Sequence, residues 1–255
     1  MILRQLDIDQ AVILAGGRGE RLRPLTDKIP KPMAPVNEKP FLDYLINSLI
    51  TVGINKILIL LGYKEEIILR RYSNIKGIVI EFSQGNVEDQ TGRRVLNAYS
   101  LLDEHFLLVY GDNYWPIELD QMLDLYHRKK VKVSTNVFSN KNGTGEYGYE
   151  NNIVVSDDGL VIKYDKKREA SETNGIDIGY FLVAKEALDP EMSGNVSFEV
   201  DILPHFILRQ ELAAYVTDVQ YYSITNMDTL RSFEKAAKQN NFMPLQEKYF
   251  KNRYG

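Results

Sequence analysis

Residues 11–35, AVILAGGRGERLRPLTDKIPKPMAP, place Gly16, Gly17 and Gly19 directly after an apolar run. Arg18, Arg21, Arg23, Lys28 and Lys31 follow within the same short stretch. A bare backbone lets anionic oxygens approach main-chain N–H groups that a Cβ would obstruct. A nucleoside triphosphate carries about four negative charges, and several fixed cations would neutralise it. A plain strand-to-helix turn would use the glycines but has no need of so many cations. Pro24, Pro30, Pro32 and Pro35 stiffen the segment, so that Lys31 is held in place. The phosphate loop G-x-x-x-x-G-K-[ST] is absent, and a dinucleotide G-x-G-x-x-G would need glycine at Leu22. Asp112 closes a second apolar run, FLLVYGD (106–112). Open α/β sheets gather ligands beyond the carboxyl ends of their strands, which is a reason to consider Asp112 and the glycine turn together.

The elements that must position these residues alternate. QAVILAG (10–16), KILILLGY (56–63), IVIEF (78–82), FLLVYGD and VKVSTNVF (131–138) read as strands. Between them, PFLDYLINSLITVG, KEEIILRRYS, RRVLNAYSLL and ELDQMLDLYHRKK read as helices. That alternation predicts an α/β fold with a mostly parallel sheet covered by helices on both faces. After Asn140 the pattern turns to short strands around a DDG turn, predicting hairpins inserted beside the sheet. IDIGYFLV (176–183) is a further strand and SFEVDILPHFILRQ (197–210) a helix with Ser197 as its cap. AAYVTDVQYYSI (213–224) reads as strand, and a last helix spans about 227–239. One domain over 1–255 is expected, with a nucleotide half near 1–135 and a substrate half near 136–240.

Composition narrows the partners. A net charge of −4 without a basic run argues against nucleic acid. The absence of cysteine excludes disulfides and thiol chemistry, and His105, His127 and His205 show no metal-ligand spacing. No segment reaches the roughly 20 apolar residues of a membrane span, and a signal peptide is not evident, so no membrane partner and a cytoplasmic location are expected. Self-association into a homo-oligomer is left open.

The wording A-G-G-x-G-x-R-L, then P-L-T, then P-K-P-M before a helix resembles the sugar-1-phosphate nucleotidyltransferases, the NDP-sugar pyrophosphorylases. KIPKPMAPVNEKPFLDYLI is most similar to the branch with D-glycero-D-manno-heptose 1-phosphate guanylyltransferases. The resemblance is strong over 11–50 and around 106–115. It implies a Rossmann-like (GT-A-like) fold and a reaction of NTP with sugar 1-phosphate to give NDP-sugar and pyrophosphate. GTP and a heptose or hexose 1-phosphate are favoured as partners, with Mg2+ as cofactor.

By the same resemblance, Ala15, Gly16, Gly17, Gly19 and Glu20 line the nucleotide with Arg21 on its phosphates. Lys31 contacts the α-phosphate and Asp112 holds the metal. SQGNVEDQTGRRVLNA (83–98) stands where relatives carry a glycine-rich base-reading segment. Gln84, Asp89, Thr91 and Gly92 are its candidate base or ribose contacts, while Arg93 and Arg94 are additions. An Asp or Gln there could read guanine or cytosine, so the base stays undecided. Arg93 fits a phosphate or ribose contact and a solvated helix face equally well. On the sugar side the candidates are Gly148 (after Tyr147), Lys166 as phosphate clamp, and Asn174, Asp177 and Glu199 for hydroxyls.

One departure concerns the metal. YYSITNMDTL has Ser223 where relatives place a second metal aspartate. Asp201 or Asp228 substitutes, or one ligand is missing, or the register differs. Three rival readings follow. A glycosyltransferase is disfavoured, since GDNYW offers one aspartate where D-x-D is usual. A non-catalytic nucleotide-sugar-binding protein is suggested by Ser223. A phosphocholine cytidylyltransferase would need an aromatic cage, for which Tyr114, Trp115, Tyr147 and Tyr149 are candidates.

Overall fold

The computed structural model describes residues 8–139 and 151–250. The chain runs through β1 (Gln10–Leu14), a two-residue ladder of β2 (Pro35–Val36) and β3 (Lys39–Pro40), α1 (Phe41–Thr51), β4 (Lys56–Leu60), α2 (Glu65–Tyr72) and β5 (Val79–Ser83). Next come α3 (Thr91–Asn97), β6 (His105–Tyr110), β7 (Asn113–Tyr114), α4 (Leu119–Lys129) and β8 (Val133–Phe138). The remaining elements are β9 (Ile153–Val155), β10 (Val161–Tyr164), β11 (Ile176–Ala184), α5 (Leu203–Leu208), β12 (Leu212–Thr217), β13 (Tyr222–Ser223) and α6 (Met227–Gln239).

Seven strands form one sheet in the order β12-β8-β11-β6-β1-β4-β5. All neighbours are parallel except β11, which runs antiparallel to both β6 and β8. The expected mostly parallel α/β sheet is therefore present. Its central strands read as unbroken apolar runs because both faces are covered. Along β1, Ala11 and Ile13 pack on the side of α1, α2, α4 and α6, while Val12 meets α3 and α5. The anticipated hairpin is β9–β10, turned by Ser156-Asp157-Asp158-Gly159 with Gly159 at φ +81°. There the Ser156 and Gly159 N–H groups donate to Leu160 and Ser156 carbonyls.

Two expectations need correction. The stretch 213–224 is not one strand: β12 belongs to the large sheet, whereas β13 leaves it to pair antiparallel with β7, Ser223 opposite Asn113. Apolar periodicity is similar across both pieces, and only the Thr217–Val219 turn, closed by Val219 N–H on Thr217 Oγ1, separates them. The helix at 197–210 opens as a wider π turn over Phe198–Ile202, with α5 reduced to its last part. Ser197 does cap it, accepting from Val200 N–H.

Under the β7–β13 ladder lies an aromatic cluster on Phe233 of α6, with ring centroids 4.9 Å from Phe41, 5.1 Å from Tyr114 and 5.8 Å from Tyr222. Edge and tilted contacts of this kind fix ring orientation as well as burying area. α6 starts at a capping box: Asn226 Oδ1 accepts from Asp228 and Thr229 N–H, and Thr229 Oγ1 accepts from Asn226 N–H, each at 3.0 Å. Asn226→Ala is expected to destabilise the protein by about 1 kcal/mol. An unchanged urea midpoint would show that the helix starts without its cap. Beyond α6 the chain returns to the first helices, with Leu245 N–H on Asp43 O at 3.0 Å and Lys76 N–H on Tyr249 O at 2.8 Å.

Candidate active site

The glycine turn leaves β1 and closes on itself through Leu22 N–H to Gly19 O at 2.9 Å. Gly19 is left-handed at φ +63°, and a Cβ there would lie 2.8 Å from Lys31 Cβ. The glycine thus admits both the turn and the close passage of Lys31. Lys31 opens a 3-10 turn between Pro30 and Pro32, and its side chain is almost fully buried. Its Nζ donates to Asp112 Oδ2 at 2.6 Å. Asp112 follows β6, and β6 is the immediate neighbour of β1, so the sheet itself delivers the two groups to one place.

Burial pushes the Asp112 carboxyl up, but Lys31, with help from Arg21, more than offsets this and holds it below the usual carboxylate range. Asp112 is therefore an anion at neutral pH. A third of its side chain remains exposed to the cavity. The cavity measures about 530 Å³ and is walled by Leu14 to Arg21, Lys31, Pro32, Asp89 to Thr91, Arg94, Tyr110 to Asp112 and Lys166. It brings together Ala15, Gly16, Gly17, Gly19, Glu20, Arg21, Lys31, Asp89, Thr91, Asp112 and Lys166 of the sequence candidates.

Opposite Lys31, Glu199 is buried and accepts from Thr91 Oγ1 at 2.6 Å and Ser197 Oγ at 2.8 Å. Lys166 Nζ lies 3.5 Å from Glu199 Oε1 and donates to Ser197 Oγ at 3.2 Å. Burial raises the Glu199 carboxyl, and the Thr91 bond and the Lys166 charge prevail, holding it low. Asp177 is buried on β11, accepting from Thr135 Oγ1 at 2.6 Å, Tyr164 O–H at 2.9 Å and Gly179 N–H at 3.2 Å. Burial nevertheless lifts its pKa to about 6, with Glu199's charge adding to the rise against those hydrogen bonds.

Other candidates stand elsewhere. Gln84 donates to Glu65 at 2.6 Å and is not on the cavity wall. Gly92 lies inside the α3 contact with the π turn, where a Cβ would meet Ile202 Cδ1 and Val196 O at 2.9 Å. Asn174 pairs through both side-chain atoms with the Val155 main chain at 2.8 Å, off the cavity wall. Arg93 donates to Gly194 O at 2.7 Å and to Met192 O, tying down that loop. Gly148, Tyr147 and Tyr149 lie outside the described residues. Tyr114 and Trp115 are core residues, so neither is available for a choline cage.

The β7–β13 ladder places Ser223 next to the Asp112 segment. Ser223 pairs with Asn113, and Ile224 N–H donates to Asp112 O at 3.0 Å. Ser223 Oγ engages Thr225 Oγ1 at 3.2 Å. Asp201 accepts from Ser197 N–H, and Asp228 is an exposed first-turn residue of α6 beside Arg231. Neither takes the place of the missing carboxylate, and no group of three metal-binding side chains occurs among the described residues.

Sequence reasoning missed the role of Arg94. Its guanidinium is buried and donates to Leu61 O (2.5 Å), Asn86 O (2.8 Å), Val87 O (3.0 Å) and Gly16 O (3.2 Å). A Cβ on Gly16 or Gly62 would lie 2.2 or 2.6 Å from its Nη1, so both glycines are the hollow it fills. The only signal in the sequence is an arginine directly before the apolar Val95-Leu96 pair.

The nucleotidyl transferase family profile matches residues 10–232, and the chain belongs to that family, as an enzyme of the sugar-1-phosphate nucleotidyltransferase type. It is 30% identical to D-glycero-alpha-D-manno-heptose 1-phosphate guanylyltransferase of Aneurinibacillus thermoaerophilus, over 89% of this chain and 97% of the relative. It is also 29% identical to the probable glucose-1-phosphate cytidylyltransferase of Bacillus subtilis, over 91% and 96%. The crystal structure of HddC from Yersinia pseudotuberculosis has the same fold, with a TM-score of 0.76 at 24% identity over 90% of this chain and 99% of HddC. A second HddC structure, complexed with GMP-PN, superposes with a TM-score of 0.73 at 24% identity, again over 90% and 99%.

Proposed function

We propose that the protein joins GTP to a heptose or hexose 1-phosphate, giving a GDP-sugar and pyrophosphate in the cytoplasm. The observation that carries this reading is the Lys31–Asp112 pair at 2.6 Å, set in one cavity between the glycine turn and Lys166. The guanylyltransferase relative supports the choice of base and sugar. In this reading about 1–135 is the nucleotide half and about 136–240 the sugar-phosphate half.

The sugar phosphate is already an anion near neutrality, its second pKa being about 6, so attack on the α-phosphorus needs no general base. The obstacle is repulsion between two anions. Gly16, Gly17 and Gly19 offer main-chain N–H groups to the triphosphate, and Arg21 and Lys31 offset its charge. Lys166 meets the sugar phosphate from the far wall, held in aim by Glu199 and Ser197. Fixing both reactants in this way converts their encounter into an oriented displacement.

Asp112 suits Mg2+, which takes one or two carboxylates and completes its shell with water and substrate phosphates. The carboxylate is ionised and partly exposed to the cavity, and Ser223 beside it is a neutral neighbour. Bound there, the ion would neutralise phosphate charge and orient the leaving group.

Pyrophosphate release should appear with GTP and a heptose or hexose 1-phosphate when GTP, CTP, UTP, dTTP and ATP are each tested against sugar 1-phosphates and phosphocholine. Release with another NTP alone would overturn the choice of base. Silence throughout, with tight binding of an NDP-sugar, would favour the binding protein that Ser223 suggests.

A further inference from the structure

Among the described residues, the N–H groups of Gly16, Gly17, Arg18 and Gly19 meet no protein acceptor, although the loop that carries them is otherwise tightly bonded. Such a run of unpaired donors on a cavity wall is an anion cradle only if the peptides are turned outward. Something has to hold them that way before a ligand arrives.

Arg94 stands on the inner side of that wall. In a trans peptide the carbonyl and the following N–H point in opposite directions. Arg94 Nη2 and Tyr63 N–H draw Gly16 O inward at 3.2 and 3.0 Å, which turns Gly17 N–H the other way. The same guanidinium gathers Leu61 O after β4 and Asn86 O and Val87 O in the 84–90 segment. Three separate backbone segments thus converge on one planar donor group. Lys could not do this: an ammonium is a compact point charge on a flexible stem, whereas the guanidinium fork is rigid and planar.

The charge is unusual as well. Among the described residues no carboxylate lies within ion-pair distance of Arg94, and Asp89 and Glu88 act on it only from further away. A buried cation is costly unless it is paired or well hydrogen-bonded, and here four carbonyls take the place of a counter-ion. Here it polarises the Gly16–Gly17 peptide, whose N–H end lies on the cavity wall.

Resting on the nucleotidyltransferase reading above, we propose that Arg94 is a positioning residue for the nucleotide: it draws the Gly16 carbonyl inward, so aiming Gly17 N–H at the triphosphate, and ties the 84–90 segment to the glycine turn. Although it borders the cavity, its guanidinium bonds go to backbone carbonyls. On the sugar side Lys166, Ser197 and Glu199 bond to one another and to Thr91, and Arg94 bonds to none of them.

The test is calorimetric titration of wild type and R94K with each of the five NTPs, which requires no turnover, followed by KM for the sugar 1-phosphate. The expected result for folded R94K is a rise of about tenfold or more in the Kd of the preferred NTP, as follows when charge-assisted bonds are lost. The sugar 1-phosphate KM should stay within about twofold, since the Lys166 set is untouched. G62A is the second variant: its Cβ would press on Nη1 from 2.6 Å and on Gly16 O from 2.7 Å, parting the bonded pair while the charge remains, and it should raise the same Kd. A folded variant with lowered thermal midpoint but wild-type NTP affinity would reduce Arg94 to a structural staple and overturn the proposal. Wild type that binds no NTP at all would instead remove the functional reading, and the proposal with it.

Discussion

Lys31→Ala should lower turnover by about 10²–10³, equivalent to roughly 3–4 kcal/mol of transition-state stabilisation, while leaving the protein folded. The size follows from place. Lys31 is a nearly buried cation 2.6 Å from Asp112, in a cavity where fixed charge is worth more than in water. Folding should survive because the deleted ammonium leaves behind a carboxylate that is a third exposed and can be hydrated. The loss should appear in kcat more than in KM, since charge at the α-phosphorus builds up during transfer. Single-turnover pyrophosphate release with both substrates saturating would measure it. Turnover within a few-fold of wild type would remove Lys31 from its role.

Asp177 carries the second large effect, on stability and with a defined sign. Burial raises its pKa to about 6, against an ordinary 3.8. The folded state therefore holds the proton more tightly than the unfolded chain. That contribution is fully present below about pH 4 and is lost as pH rises through 6. Two units correspond to about 3 kcal/mol between those limits. Asp177→Asn cannot titrate, so relative to wild type it should gain about that much between pH 4 and pH 7. Its amide can still accept from Thr135 and Gly179 and face the Tyr164 hydroxyl. Parallel stability curves for the two proteins across that window would show that Asp177 is not strained by burial.

The sheet was legible in QAVIL, KILIL and HFLLVY because strands covered on both faces are apolar throughout, and chains of that kind alternate with helices. The glycine turn was legible for a chemical reason: its cations exceed anything a turn requires. The placing of Ser223 beside the Asp112 segment was not legible, since 213–224 reads as one strand and only the fold separates β13 to pair with β7. Harder were residues whose type suits a ligand but whose partners are backbone. Asn174 spends both amide atoms on Val155, and Gly92 gives way to Ile202 instead of to a base. Arg94 was opaque for the opposite reason. An arginine on a short helix reads as solvated, and only the fold brings Leu61, Asn86 and Gly16 carbonyls around it.

The return of residues 245–250 to the first helices has a consequence for how the chain is made. Asp43 in α1 is fully buried, bound by Arg71 and Tyr72, and its own carbonyl receives Leu245 N–H. Those partners are separated by some two hundred positions, and β11 must likewise be inserted between strands already synthesised. Contacts so distant along the chain slow folding, because the intervening loop has to be closed before they form. During translation the early strands and α1 emerge from the ribosome well before the segment that seals them. The nascent chain accordingly leaves this part of its apolar core uncovered until residues 245–250 emerge, which is an interval of exposure to aggregation and dependence on chaperones.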